Sequence, residues 1–255
     1  MPREPGRVLL VGAGPGPADL MTVRALCAVQ SAEAVLYDAL VDPEILDLAP
    51  PGCLRLQTGK RAGRASMKQD AINRLMLRLA RRGLKVVRLK GGDPAVFGRV
   101  GEERAFLAAH GVPVEVVPGV TAASAAAAQF GFPLTHRGEA RRLLLATATV
   151  TEGAMTEGGW KAAADPETTL ALYMGRDQLG AVAARLIAEG RSPRTPVLAV
   201  ENAGRPEARA MPATLEGLAA EVAAVAPTGP VVVVVGEVTI HAAVAHAFQA
   251  RALRA

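Results

Sequence analysis

The sequence predicts an α/β protein of two α/β domains with mostly parallel sheets, residues 1–119 and 120–255. Three observations carry that prediction. Apolar runs of strand length alternate with stretches of helical period, glycine-rich turns follow several of those runs, and Pro118-Gly119 interrupts the alternation midway.

Residues 8–11 read as a buried strand running into a glycine turn, and 22–30 as a helix with Leu26 and Val29 facing inward. A strand at 34–37 follows, then Asp42-Pro43 as N-cap and first residue of a short helix through Leu48. Residues 54–57 read as a strand. The clearest helix is 67–82: Ser66 and Gln69 have capping-box spacing, Ile72, Leu75, Met76 and Leu79 form a stripe, and Gly83 ends it. A buried strand at 86–89, a helix near 102–110 and a strand near 114–117 complete the first domain. Beyond Gly119 come an alanine-rich helix (122–129), strands near 143–147, 169–173, 197–200 and 231–235, and helices at 179–189 and 215–225. The glycine-rich stretch 151–160 reads as a loop.

Half of the 255 residues are hydrophobic, enough for such cores, and no apolar run is long enough to span a bilayer. The first residues lack the apolar region of a signal peptide, so a cytoplasmic protein without a membrane partner is expected. Cys27 and Cys53 lie far apart, and the histidines are not clustered in sequence, so no metal site is expected. The net charge of +5 suits an acidic small molecule. With 3% aromatic residues and no basic stripe, no nucleic-acid partner is expected.

Chemistry concentrates in three turns. Gly12-Ala-Gly-Pro-Gly follows the first strand, and glycines there let a ligand approach the main chain. With Asp38 at the end of the second strand it resembles a dinucleotide fingerprint, but the third glycine position is Pro17. A tight structural turn is the other reading of the glycines, and a strand-end side-chain-to-backbone bond that of Asp38. The second turn, Lys90-Gly-Gly-Asp-Pro-Ala-Val-Phe-Gly-Arg, lies where α/β proteins bind ligands. Asp93 there is either a ligand acceptor or the source of a side-chain turn bond. The third, Thr58-Gly-Lys-Arg-Ala-Gly-Arg, offers Lys60, Arg61 and Arg64 to an anion or to solvent, and lacks P-loop spacing.

Taken in order, Val11-Gly-Ala-Gly-Pro-Gly, Leu36-Tyr-Asp, Gly59-Lys-Arg-Ala-Gly, Arg88-Leu-Lys-Gly-Gly-Asp-Pro and Phe97-Gly-Arg resemble the tetrapyrrole methylase family. Val117-Pro-Gly-Val-Thr, Pro133-Leu-Thr-His-Arg, Tyr173-Met-Gly and Val200-Glu-Asn extend the resemblance to nearly the whole chain. The Gly59-Lys-Arg-Ala-Gly segment favours members acting on uroporphyrinogen III over those acting on later corrinoid intermediates. The resemblance implies two α/β domains with a cofactor cleft between them, a homodimer, and S-adenosyl-L-methionine as methyl donor, leaving S-adenosyl-L-homocysteine. Pro15, Gly91, Gly92, Asp93, Val96, Thr121, Ala122 and Met174 are implied to touch that cofactor, with Ala203 at a backbone contact. Asp38 is implied as proton acceptor and Lys60 as proton donor, while Arg99 and Glu102 face the tetrapyrrole. Arg61 and Arg64 would add cations for its carboxylates.

Three departures stand out against the family pattern. Ala203 replaces the glycine of Glu-Asn-Gly, Ala148 lies where Thr-Gly-His is common, and Val100 interrupts Gly-Arg-Gly-Gly-Glu. The implied reaction adds two methyls to uroporphyrinogen III, giving precorrin-2 for sirohaem, cobalamin or haem d1 synthesis. It requires in-line positioning and a base for the proton lost, with no metal or covalent nucleophile. Alternatives are methylation of another corrinoid precursor, a nicotinamide-dependent oxidoreductase suggested by the first turn, and a ligand-binding regulator suggested by the departures.

Overall fold

A computed structural model describes residues 6–59, 67–147 and 155–243. The chain divides into two units, Met1–Thr121 and Ala122–Ala255.

In the first unit β1 (Val8–Gly12), α1 (Val23–Gln30), β2 (Ala34–Tyr37), α2 (Pro43–Asp47) and β3 (Leu54–Gln57) are followed by α3 (Gln69–Arg81), β4 (Val86–Lys90), α4 (Val100–Ala109) and β5 (Val114–Val117). The strands form one sheet in the order β3-β2-β4-β1-β5, parallel throughout. Alternate residues serve opposite faces: Leu9, Val11, Val35, Val87 and Leu89 enter one core, and Val8, Leu10, Ala34, Leu36 and Val86 the other. Both faces are therefore covered, as the continuous apolar runs require. Thr22 caps α1 by accepting from Ala25 N at 3.1 Å, and Asp42 caps α2 by accepting from Glu44 N at 3.2 Å. The expected start of α3 shifts: Lys68 precedes it without a side-chain cap, and Ser66 lies outside the described residues. Gln69 bonds instead to Asn73 and Glu103, both at 3.0 Å.

The second unit contains α5 (Ala122–Phe130), β6 (Arg142–Thr147), α6 (Glu157–Ala164), β7 (Thr168–Tyr173), α7 (Leu179–Ala188), β8 (Pro196–Glu201), β9 (Arg209–Thr214), α8 (Leu218–Val225) and β10 (Val231–Val235). Its sheet runs β6-β7-β10-β8-β9. Here the expectation of a mostly parallel sheet needs correction. Only β6 and β7 pair in parallel; β7–β10, β10–β8 and β8–β9 are antiparallel. Residues 202–208, the whole connection from β8 to β9, are too few for a crossover. The unexpected β9 carries Pro212, which an edge strand accommodates.

The expected loop at 151–160 also needs correction at its end. Thr156 caps α6 by accepting from Gly159 N at 3.2 Å, and Trp160 buries against α7 and β7, outweighing two glycines in the first turn. Residues 151–154 lie outside the described residues.

Candidate functional site

The order of the first sheet explains why separate motifs meet. β4 lies between β2 and β1, and β1 between β4 and β5, all pointing the same way. The loops leaving β2, β4, β1 and β5 therefore emerge side by side at the carboxyl edge.

There the two glycine turns join. Gly14 and Gly92 exchange backbone hydrogen bonds, Gly92 N to Gly14 O at 2.7 Å and Gly14 N to Gly92 O at 3.2 Å, and Ala13 N donates to Lys90 O at 2.8 Å. The packing leaves no room for side chains: a Cβ on Gly12 would lie 2.6 Å from Gly119 N and 2.7 Å from Gly92 O. Gly92 itself differs. Its φ of +70° favours glycine, yet an added Cβ would meet nothing nearer than Val120 O at 3.9 Å. A backbone ledge with open space beside it fits the close approach of a ligand.

Two carboxylates lock this edge. Asp93 Oδ1 accepts from Ala95 N at 2.7 Å and Oδ2 from Gly119 N at 2.9 Å, tying the β4 loop to the β5 loop. Asp38 Oδ2 accepts from Gly91 N at 3.2 Å and Oδ1 from Leu40 N at 3.1 Å. Both acids thus make the side-chain-to-backbone bonds that the sequence left as the alternative. Pro15 and Val96 sit half-buried on the same loops. The dinucleotide reading fails locally, because Pro17 opens a short 3-10 turn and α1 starts only at Val23.

Below the edge lies a charged cluster that sequence reasoning missed. Arg88, Lys90 and Glu103 are all at least 95% buried, with Lys90 Nζ 2.9 Å and Arg88 Nε 3.3 Å from Glu103 Oε1. Burial, reinforced by Arg88, lowers the Lys90 pKa against the pull of Glu103 and Asp38. Charged residues inside an apolar strand at 86–90 were the available signal.

Arg99 and Glu102 pair with each other, Nε to Oε1 at 2.8 Å and Nη2 to Oε2 at 2.7 Å, both half-exposed. That bond raises the Arg99 pKa and lowers that of Glu102. Val100 turns into the core beside α3. Lys60, Arg61 and Arg64 lie outside the described residues, as does Ala148.

In the second unit, β10 runs antiparallel to both β7 and β8, so those two strands end at the same edge. Met174 follows β7, is 69% exposed, and has φ +54°. Judged apart from the family it reads as a core residue; here it projects. Asn202 follows β8, also at φ +54°. Tyr173 Oη accepts from Ala123 N at 3.1 Å, bringing the first turn of α5 to this edge. Ala122 and Tyr173 pack against the cluster that contains buried Ala203. The methyl of Ala203 is thereby accommodated, and the positive φ falls on Gly204 instead.

The strained positions coincide with the motifs. Phe97, Arg99, Met174 and Asn202 account for all but one of the non-glycine residues with positive φ among the described residues. Such strain persists where the surroundings impose it, which is frequent at ligand sites. Glu201, 1% exposed, braces Asn202 by accepting from Gly229 N at 2.6 Å, Thr228 N at 2.7 Å and Arg209 Nε at 2.8 Å. Burial opposes its charge, yet the bonds from Gly229, Arg209 and Thr228 together keep its carboxyl below the usual range. A surface groove of about 610 Å³ in this unit, lined by Arg176, Ala219 and Pro227 among others, contains none of the residues expected from sequence.

The family profile described as Tetrapyrrole (Corrin/Porphyrin) Methylases matches residues 7–219. The siroheme synthase of Pseudomonas aeruginosa (strain LESB58) is 47% identical over 91% of this chain and 50% of its own length. That of Azotobacter vinelandii is 45% identical over 93% of this chain and 51% of its own. The chain thus spans about half the length of these curated relatives. Among solved structures, a Thermus thermophilus uroporphyrin-III C-methyl transferase complexed with S-adenyl homocysteine superposes with TM-score 0.78 at 44% identity, covering 92% of this chain and 99% of that one. A cobalt precorrin-4 methyltransferase gives TM-score 0.81 at 31% identity, covering 90% and 94%.

Proposed function

The chain belongs to the tetrapyrrole methylase family, and from that membership we propose that it is an S-adenosyl-L-methionine-dependent C-methyltransferase adding two methyls to uroporphyrinogen III. The observation that carries the proposal is the joined turn of Gly14 and Gly92, a backbone ledge open beside Gly92 and locked from behind by Asp38 and Asp93. The likeness to the Thermus enzyme with its bound cofactor product supports the choice of donor.

When bound, the cofactor supplies an already activated sulfonium methyl. The protein's part is placement, the exclusion of water and removal of one proton per transfer. Pro15, Gly91, Gly92 and Val96 would hold the cofactor through main chain and short side chains, with Thr121, Ala122, Met174 and Ala203 as further contacts. Asp93 joins them as a further contact: each of its oxygens accepts one backbone N–H, which fixes the loop and leaves lone pairs for a ligand hydroxyl or amine. Asp38 is the proposed proton acceptor; its two bonds to backbone N–H groups fix the carboxylate at the end of β2. Arg99 would bind a substrate carboxylate in place of Glu102, which now occupies its fork. Lys60 as proton donor and Arg61 and Arg64 as substrate cations complete the proposal, together with a cytoplasmic homodimer and a role in sirohaem or cobalamin synthesis.

Anaerobic incubation with uroporphyrinogen III and isotopically labelled S-adenosyl-L-methionine tests it. A product heavier by two labelled methyls is expected; cofactor-product binding without methylation of any tetrapyrrole would instead establish a binding protein.

A further inference from the structure

Three side chains that the sequence separates meet in the second unit. His136 and Glu139 lie on the turn between α5 and β6, closed by an antiparallel bridge between His136 and Ala140. Glu139 N and Ala140 N both donate to His136 O, at 3.2 and 3.0 Å. His241 ends a 3-10 turn, Glu237–His241, that follows β10. Its Nε2 lies 2.9 and 3.0 Å from the two Glu139 oxygens, while His136 Nδ1 lies 3.4 Å from Oε1. The two imidazole rings are 5.2 Å apart.

We propose that His136, Glu139 and His241 form a site for a divalent transition-metal ion of the zinc type, clipping the segment after β10 to the α5–β6 turn. Four observations support it. First, one donor atom from each side chain lies within 4.8 Å of the others, and two of the separations are 2.9 and 3.4 Å. Ligands bonded tetrahedrally at about 2.0–2.2 Å sit about 3.3 Å apart, so small rotamer changes seat an ion among them.

Second, two imidazole nitrogens with one carboxylate oxygen suit zinc, nickel or copper, whereas magnesium and calcium prefer oxygen alone. Third, the arrangement is charge-compatible. A single carboxylate between two imidazoles offsets part of the ion's charge without crowding several anions together.

Fourth, both anchors are held before any ion arrives. The bridge fixes the turn, Ala243 N donates to Phe130 O at 2.7 Å, and Val238 and Thr239 bury the start of the segment carrying His241. The three side chains remain reachable, with exposures of 47%, 25% and 37%. Three protein ligands leave a fourth position for water or a small anion. None of the three belongs to the residues proposed for methyl transfer, so the clip and the reaction stand or fall separately.

Titration of the metal-stripped chain with Zn²⁺, followed by calorimetry and thermal melting, tests the site, with Mg²⁺ as the control ion. One equivalent of Zn²⁺ should bind and raise Tm, and Mg²⁺ should do neither. His241→Ala and Glu139→Gln should each weaken Zn²⁺ binding about tenfold or more and abolish the Tm rise, while His110→Ala on the other unit leaves both unchanged. Because a substitution could disturb folding, imidazole ¹⁵N spectra of the unaltered chain give a second reading: His136 and His241 should shift at one equivalent, and His110 should not. Absence of stoichiometric binding, or binding that persists in the His136→Ala/His241→Ala double variant, would overturn the site.

Discussion

At Asp38 both carboxylate oxygens already accept backbone N–H groups, so the residue joins loop geometry to the chemistry proposed for it. Asp38→Asn should lower kcat by about 10²–10⁴-fold, with a much smaller change in the Kd of S-adenosyl-L-homocysteine by calorimetry. A collapse of affinity with kcat retained at saturation would make Asp38 a ligand contact rather than a base. Glu201 presents a second question, of stability against pH. Its folded carboxyl lies below the unfolded value of about 4.3, so its contribution is fully present above that pH and is lost as pH falls through the folded pKa. Glu201→Gln should therefore cost about 2 kcal/mol at pH 7, and urea titrations should show the gap closing below pH ~4. Ala203 is the residue where sequence raised an alarm that packing answers: its methyl joins an apolar cluster, and the positive φ values fall on Asn202 and on Gly204, where glycine adopts them freely.

Elements decide which glycines matter. Gly12 ends β1 against the loops that leave β4 and β5, and an added methyl would strike main chain on both sides. Gly12→Ala should therefore abolish cofactor-product binding and lower Tm. Gly101, in the first turn of α4, meets nothing within 4 Å, and Gly101→Ala should stabilise by about 0.5–1 kcal/mol without affecting kcat. The buried charges between β4 and α4 make a further test of how these elements are joined. Removing the Glu103 carboxylate strands two buried cations, so Glu103→Ala should cost about 3–5 kcal/mol in chemical denaturation. A smaller loss would mean that Lys90 is neutral in the folded state, consistent with the direction in which burial moves it.

The molecule as a whole carries a net charge of +5, and a substrate bearing many carboxylates should respond to it. Raising ionic strength through the range where the Debye length falls below about 10 Å should increase KM for uroporphyrinogen III. The Kd of the cofactor product, measured in the same buffers, should change far less. The sequence alone determined the α/β class, the parallel first sheet and the positions of the motif turns, because strand period, caps and glycine turns are local properties. It misread the second sheet, because the direction of β10 and the pairing of β9 depend on which strands are neighbours. It left Asp38 and Asp93 open between ligand contact and turn bond, and only the juxtaposition of strand ends shows their backbone partners. It could not join His241 to Glu139 across 102 residues. That meeting is a consequence of tertiary packing, which brings the end of the last described 3-10 turn onto a loop formed much earlier in the chain.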